Sequence, residues 1–280
     1  MNGKQRRLSR IFGKDEKTVI VPVDDSLIFG PFAGLHDINQ KISNILEGNP
    51  DAILAHRGTF INDIPINSVG RIINVSASTT NSFHTRKVLI STVEQLLAQD
   101  ADCVAVHINV TSKFEADMLY DFGRIVLEAE KYALPVMAIV YPRKENADGA
   151  DENYINLKKS NNQEYVRLLC HCVRIARDMG ASLIKTQYSG NSESFIQVVE
   201  AAHPIPIVIA GGMFQEAKYM LKICEDAMKC GCKGISYGRN VFSRHDAAMM
   251  IEAISAIVHK NLTAELAYMK FSPSDMECKL

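Results

Sequence analysis

What this 280-residue chain lacks narrows its function first. It has no charge excess: 31 Lys and Arg against 32 Asp and Glu leave a formal net charge of −1, whereas a general nucleic-acid binder carries a basic surplus to neutralise phosphates. It has no apolar run near the roughly 20 residues that a membrane helix requires. Its opening residues, MNGKQRRLSRIFGKDEK, are basic with no apolar segment behind them, so they do not read as a secretory signal. A cytoplasmic protein without nucleic-acid or membrane partners is expected.

Two further absences concern cofactors and metals. No G-x-G-x-x-G follows the first apolar run, which continues as VPVDDSLIFGP, so a dinucleotide-binding open sheet is disfavoured. The seven cysteines are odd in number, and the CHC at 170–172 and CGC at 230–232 lack zinc-ribbon spacing and sit in helix-like or helix-end segments. A chain that is 47% hydrophobic can build its core without disulfides. Reduced, buried thiols are expected, with no metal and no cofactor.

What is present is a regular alternation. Short β-branched or apolar runs stand at 18–23, 51–56, 71–76, 102–110, 135–141, 182–186, 205–211 and 233–238. Between most of them lie stretches with helical spacing, such as ADMLYDFGRIVLEAEKYA, in which Met118, Leu119, Phe122, Ile125, Val126 and Ala129 share a face. Gly180 and Gly231 fall where helix C-terminal glycines belong. Eight buried strands separated by helices predict a single-domain (β/α)8 TIM barrel over residues 1–280, with a basic N-terminal segment 1–17 and a C-terminal tail 261–280. The polar stretch 143–163 is longer than an ordinary strand-to-helix loop. It reads either as a functional segment or as a solvated insertion.

In such a barrel the reactive groups stand at the C-terminal strand ends. Those ends supply Asp24 and Asp25, then His56 and Arg57, Ser76 and Ser78, His107 and Asn109, Tyr141 and Arg143, Lys185 and Tyr188, Gly211 and Gly212, and finally Gly238, Arg239 and Asn240. Polar residues gather on one rim while the strand interiors are apolar, which favours an enzyme over a scaffold. The last two strand ends, IAGGM and YGRN, combine unobstructed backbone N–H groups with a guanidinium, a pattern that suits a phosphate. Lys185 ends the apolar run SLIK. Burial there would favour a neutral amine, able to attack a ketone and form a Schiff base; clamping a phosphate or carboxylate is the competing role. Asp24 and Tyr141 are of the right types for the accompanying proton transfers. His56, His84 and His107 could instead serve a metal-dependent aldolase, though Lys185 would then have no task. A sugar-phosphate-binding regulator without turnover is the reading from a different class.

VIVPVDDSLIFGPFAGL, SAST, MAIVYPR, LIKTQYSG, VIAGG and GISYGRNVF together resemble the class I (Schiff-base) aldolases of the archaeal-type fructose-bisphosphate aldolase family, and within it the branch of 2-amino-3,7-dideoxy-D-threo-hept-6-ulosonate synthases. The resemblance covers about residues 5–260. It implies a TIM barrel with Lys185 as Schiff-base lysine, Tyr141 as proton donor and Asp24 as proton acceptor. Substrate contacts would come from Asp25, Ser26, Arg143, Gly211, Gly212, Gly238 and Arg239. The implied reaction is aldolase or transaldolase chemistry: a phosphorylated ketose donor joined to an amino aldehyde such as aspartate semialdehyde, toward an aromatic precursor. Fructose 1,6-bisphosphate cleavage is the alternative within the family. A thiolase-like relative reads GVG where this chain has YPR, so Tyr141 argues against that version. Members assemble into rings, often decamers, so a homo-oligomer is expected. The chain departs from the family pattern at Asp25-Ser26 for His-Gly, at Arg57 for Lys, and at Asn74 for a frequent His. Asp25 thereby suggests an anion that could meet an acceptor's ammonium.

Overall fold

Side chains along a strand alternate between faces, and here both faces are apolar. The computed structural model describes residues 2–30, 34–61, 69–146 and 153–278. Eight strands form the barrel: β1 (Thr18–Pro22), β2 (Ala52–His56), β3 (Gly70–Asn74), β4 (Cys103–Val110), β5 (Val136–Pro142), β6 (Leu183–Gln187), β7 (Ile207–Ala210) and β8 (Gly234–Ser236). All pair in parallel, in sequence order, and β8 closes on β1. Ile20, Leu54, Ile72, Ala105, Ile139, Leu183 and Val208 fill the barrel interior. Their neighbours Val19, Ile53, Ile73, Val104, Val140, Ile184 and Ile209 face outward onto the surrounding helices.

The helices follow the expected apolar spacing, for example at Glu115–Lys131, Asn162–Asp178, Ala217–Lys229 and Ala247–Lys260. Gly180 and Gly231 both take positive φ, 98° and 95°, at helix ends where the chain must turn back. Strand three is shorter than its apolar run, 71–76. Beyond Asn74 the chain leaves the barrel, and Ser76–Ala77 pair antiparallel with Val88–Leu89.

Three segments are more ordered than their polarity implied. The basic N-terminus forms a helix, Gly3–Leu8, whose N-terminal amides are capped by Asn2. It is anchored under the barrel: the Arg7 guanidinium donates to Ala101 O at 2.7 Å and that of Arg10 to Asp102 Oδ1 at 3.0 Å. Ile11, fully buried, joins the interior cluster and closes the end of the barrel opposite the expected site. Residues 147–152 of the polar stretch lie outside the described residues, but its second half is helical (Asn153–Ser160) and not an open loop. Tyr154, Ile155 and Leu157 there pack on the core, and Asn161 caps the next helix through Glu164 N. The tail contains the helix Ala264–Phe271, capped by Thr263. All seven cysteines are free thiols. No described helix is long and apolar enough to cross a membrane.

Candidate active site

The placement of Lys185 follows from strand periodicity. Leu183 points into the barrel, so Lys185, two residues on, does too, as does Gln187 at the mouth. β5 lies alongside with Ile139 level with Lys185, which sets Tyr141 one interior layer higher on the neighbouring strand. Asp24 and Asp25 follow β1, across the barrel from Lys185. The cleft at this end is lined by Asp24, Asp25, Tyr141, Arg143, Lys185, Gly211, Gly212, Gly238 and Arg239, together with Pro22, Tyr154, Gln187, Ala210 and Ser236. Of the residues expected from the sequence, Ser26 is not among them. It is the second residue of the turn Asp25–Phe29, where helical geometry swings its side chain about 100° away from that of Asp25. Tyr188 also faces away, packing edge-on against Phe195.

Lys185 is 7% exposed. Burial lowers its pKa, Asp24 and Asp25 pull it back up, and Arg239 opposes them. Among the described residues its amine makes no hydrogen bond, which leaves it open to a substrate. Burial likewise pushes the Tyr141 phenol upward, partly offset by Arg143, which keeps the hydroxyl protonated and able to donate. The Tyr141 ring stands edge-on to His107 at 5.0 Å. That imidazole is held well below its usual pKa, first by burial and then by Lys87 and Arg143, so it is a neutral wall.

Asp24 is positioned from β3: Asn74 Nδ2 donates to its Oδ2 at 2.7 Å, while Asn74 Oδ1 accepts from Ser76 N at 2.9 Å. The amide is therefore oriented at both ends. Asp25 is not a lone anion. Arg239 Nε lies 3.2 Å from its Oδ2; burial raises the Asp25 pKa and Arg239 counters it.

On the β7 and β8 side, Gly211, Gly212 and Gly238 bring bare backbone to the cleft. Gly212 has φ 68°, a left-handed conformation that glycine accepts without steric cost. A Cβ on Gly211 would stand 3.0 Å from the Tyr237 ring. Asn240 ties the two loops together, its Nδ2 donating to Gly211 O at 3.1 Å and Met213 O at 2.9 Å.

Opposite this, Arg143 approaches His84 Nε2 at 3.4 Å and donates to the Tyr154 hydroxyl at 3.2 Å. A guanidinium can only donate, so His84 Nε2 accepts. The other ring nitrogen, Nδ1, lies 2.9 Å from Ser78 Oγ and 3.3 Å from Lys87 Nζ. Burial, with Lys87 and Arg143 nearby, holds the His84 pKa at about 2. His84 is a neutral spacer between two cations and belongs to no metal-ligand group found among the described residues.

Several of these positions were not singled out from the sequence. Gln187 and Ser236 could have been found by extending the two-residue alternation from Lys185 and Gly238. The Ser236 hydroxyl is buried with no hydrogen-bond partner among the described residues. Tyr154 and Lys87 come from outside the strands and carried no such signal.

The profile of the DeoC/LacD family of aldolases matches residues 18–244, which spans all eight strands. The chain is 34% identical to the 2-amino-3,7-dideoxy-D-threo-hept-6-ulosonate synthase of Halobacterium salinarum, over 95% of each chain. It is 29% identical to the 2-amino-4,5-dihydroxy-6-oxo-7-(phosphonooxy)heptanoate synthase of Streptomyces griseus, over 92% of this chain and 90% of the other. A solved Schiff-base-forming fructose-1,6-bisphosphate aldolase superposes with a TM-score of 0.80 at 25% identity, covering 92% of this chain and all of the other. With the barrel, the strand-end lysine and the match along the chain in agreement, this protein belongs to the DeoC/LacD family of aldolases.

Proposed function

We propose that this aldolase makes or breaks a C–C bond of a phosphorylated ketose through an imine on Lys185, and that its acceptor is an amino aldehyde such as aspartate semialdehyde. The observation that carries the reading is the Lys185 amine itself: buried, biased toward its neutral form, and without a hydrogen-bond partner among the described residues, in one cleft with Tyr141 and Asp24. The amine attacks the ketone carbon. Tyr141 donates the proton that lets the carbinolamine oxygen leave as water. The resulting iminium takes up the electrons of the adjacent C–C bond to become an enamine, while Asp24 removes the proton of the hydroxyl that turns into the carbonyl of the departing aldehyde. Synthesis runs the same steps backward, with the enamine attacking the aldehyde.

The glycine backbone of Gly211, Gly212 and Gly238 holds the phosphate, and Arg239 supplies its charge. Asp25 steers that guanidinium through their ion pair and offers its other carboxylate oxygen toward an acceptor ammonium. Arg143 borders the acceptor side of the cleft. The amino-aldehyde acceptor is favoured over a second phosphorylated one by the names of the two relatives, whose products carry a 2-amino group.

Incubation with dihydroxyacetone phosphate followed by borohydride should leave a stable adduct that peptide mass spectrometry places on Lys185. A Lys185→Met variant should give none. An adduct elsewhere, or none with any phosphorylated ketone, would refute the imine reading. Aldehyde competition then tests the acceptor: added before borohydride, aspartate semialdehyde should discharge the Lys185 enamine and lower the adduct yield more than glyceraldehyde 3-phosphate does.

A further inference from the structure

Arg244 is the largest fully buried side chain of the described residues, and it lies outside the cleft. A buried guanidinium is costly unless its donors are matched, so its partners show what it is for. Nη2 donates to Gln215 O at 2.6 Å and Nε to Asn240 O at 2.9 Å. Nη1 donates to Ser274 O at 2.6 Å and lies 3.2 Å from Asp275 Oδ1. Its plane lies over the Phe214 ring at 4.7 Å. The first two partners belong to the segments after β7 and β8; the last two belong to the C-terminal tail.

The tail is fastened to the same segments independently. Asp275 Oδ1 accepts from Ala217 N at 2.5 Å, Cys278 N donates to Ser243 O at 2.7 Å, and Glu277 bridges Arg244 in antiparallel fashion. Gln215 N donates in turn to Asn240 Oδ1 at 2.9 Å, and Asn240 holds the carbonyls of Gly211 and Met213. A continuous run of hydrogen bonds thus leads from Asp275 through Arg244 and Asn240 to Gly211.

We propose that Arg244 is a positioning residue for anion binding by the β7 and β8 loops, and that tail residues 272–278 are the strap that fixes it. This rests on the phosphate assignment given above. Glycine-rich backbone is conformationally free, so its amides converge on an anion only if something else sets their geometry beforehand. The fork of Arg244 does so for both loops at once, and a lysine could not reproduce its several directed donors.

Paired ketones test this. Dihydroxyacetone phosphate uses the anion site when it forms the borohydride-trapped adduct; dihydroxyacetone does not. Asp275→Ala and Arg244→Lys should each raise the half-saturating concentration of dihydroxyacetone phosphate roughly tenfold. Protection by inorganic phosphate should weaken by the same factor, and trapping of dihydroxyacetone should stay within about twofold. Asp275 is partly exposed, so its variant decides the matter should Arg244→Lys fail to fold. Equal loss with both ketones, or an unchanged phosphate dependence in Asp275→Ala, overturns the positioning role. A wild-type enzyme that traps both ketones alike and ignores phosphate overturns the phosphate assignment too, and is recognised before any variant is made.

Discussion

Asn74 donates its side-chain amide to Asp24 at 2.7 Å, fixing one oxygen of the carboxylate expected to accept a proton. An amide cannot titrate, so it orients Asp24 at every pH without lending it charge. Asn74→Leu should therefore lower kcat by roughly ten- to a hundredfold with little change in KM, the pattern of a proton acceptor that has lost its geometry. Asn74→His restores a donor and should recover part of the loss. Steady-state kinetics on both variants check this; a purely raised KM would argue that Asn74 acts on binding.

The charges around Lys185 give a pH prediction with a definite sign. Burial lowers its pKa, Asp24 and Asp25 raise it, and Arg239 lowers it. Asp25→Asn removes one anion and leaves Asp24 alone to oppose Arg239, so the amine should deprotonate at lower pH. Arg239→Met does the reverse and should move deprotonation to higher pH. The pH dependence of adduct formation with dihydroxyacetone, which needs no phosphate contact, should shift down in the first variant and up in the second.

His259 links the chain's two ends at the closed end of the barrel, with Nδ1 3.0 Å from Asp15 and Nε2 3.0 Å from Asp51. Its pKa is raised above the ordinary 6.5, first by the Asp51 hydrogen bond against the cost of burial, then by Asp15. A raised histidine contributes stability that is complete below its unfolded pKa and is lost as pH rises through the folded one. His259→Gln should thus cost about 1 kcal/mol at pH 5.5 and much less at pH 9, as read by urea unfolding at the two pH values.

Ile11 closes the barrel floor from a segment that composition marks only as basic. Fully buried among interior side chains, it should cost about 2–4 kcal/mol on substitution by alanine. Lys185 trapping, at the opposite end of the barrel, should be unaffected at temperatures where the variant stays folded. Denaturant midpoints and adduct yield measure the two effects separately.

The barrel was legible because its determinants are local and periodic. Eight apolar runs, their spacing and the helical faces between them leave few other ways to bury both sides of so many strands. Lys185, Asp24, Tyr141, Gly211, Gly212 and Gly238 could be read for the same reason: strand-end position alone places them at one end of the barrel. Contacts between segments distant in sequence were not legible, since nothing in SAST or in the tail announces its partner. Asn74 against Asp24, Arg239 against Asp25, Tyr154 in the cleft wall and Arg244 joining the tail to two loops all exist only after the barrel closes. The sequence by itself determined the architecture and the strand-end positions of Lys185, Asp24 and Tyr141, through short-range pattern. The tertiary structure decided which charges face one another, and so which lysine is shifted toward its neutral form and which aspartate is already paired.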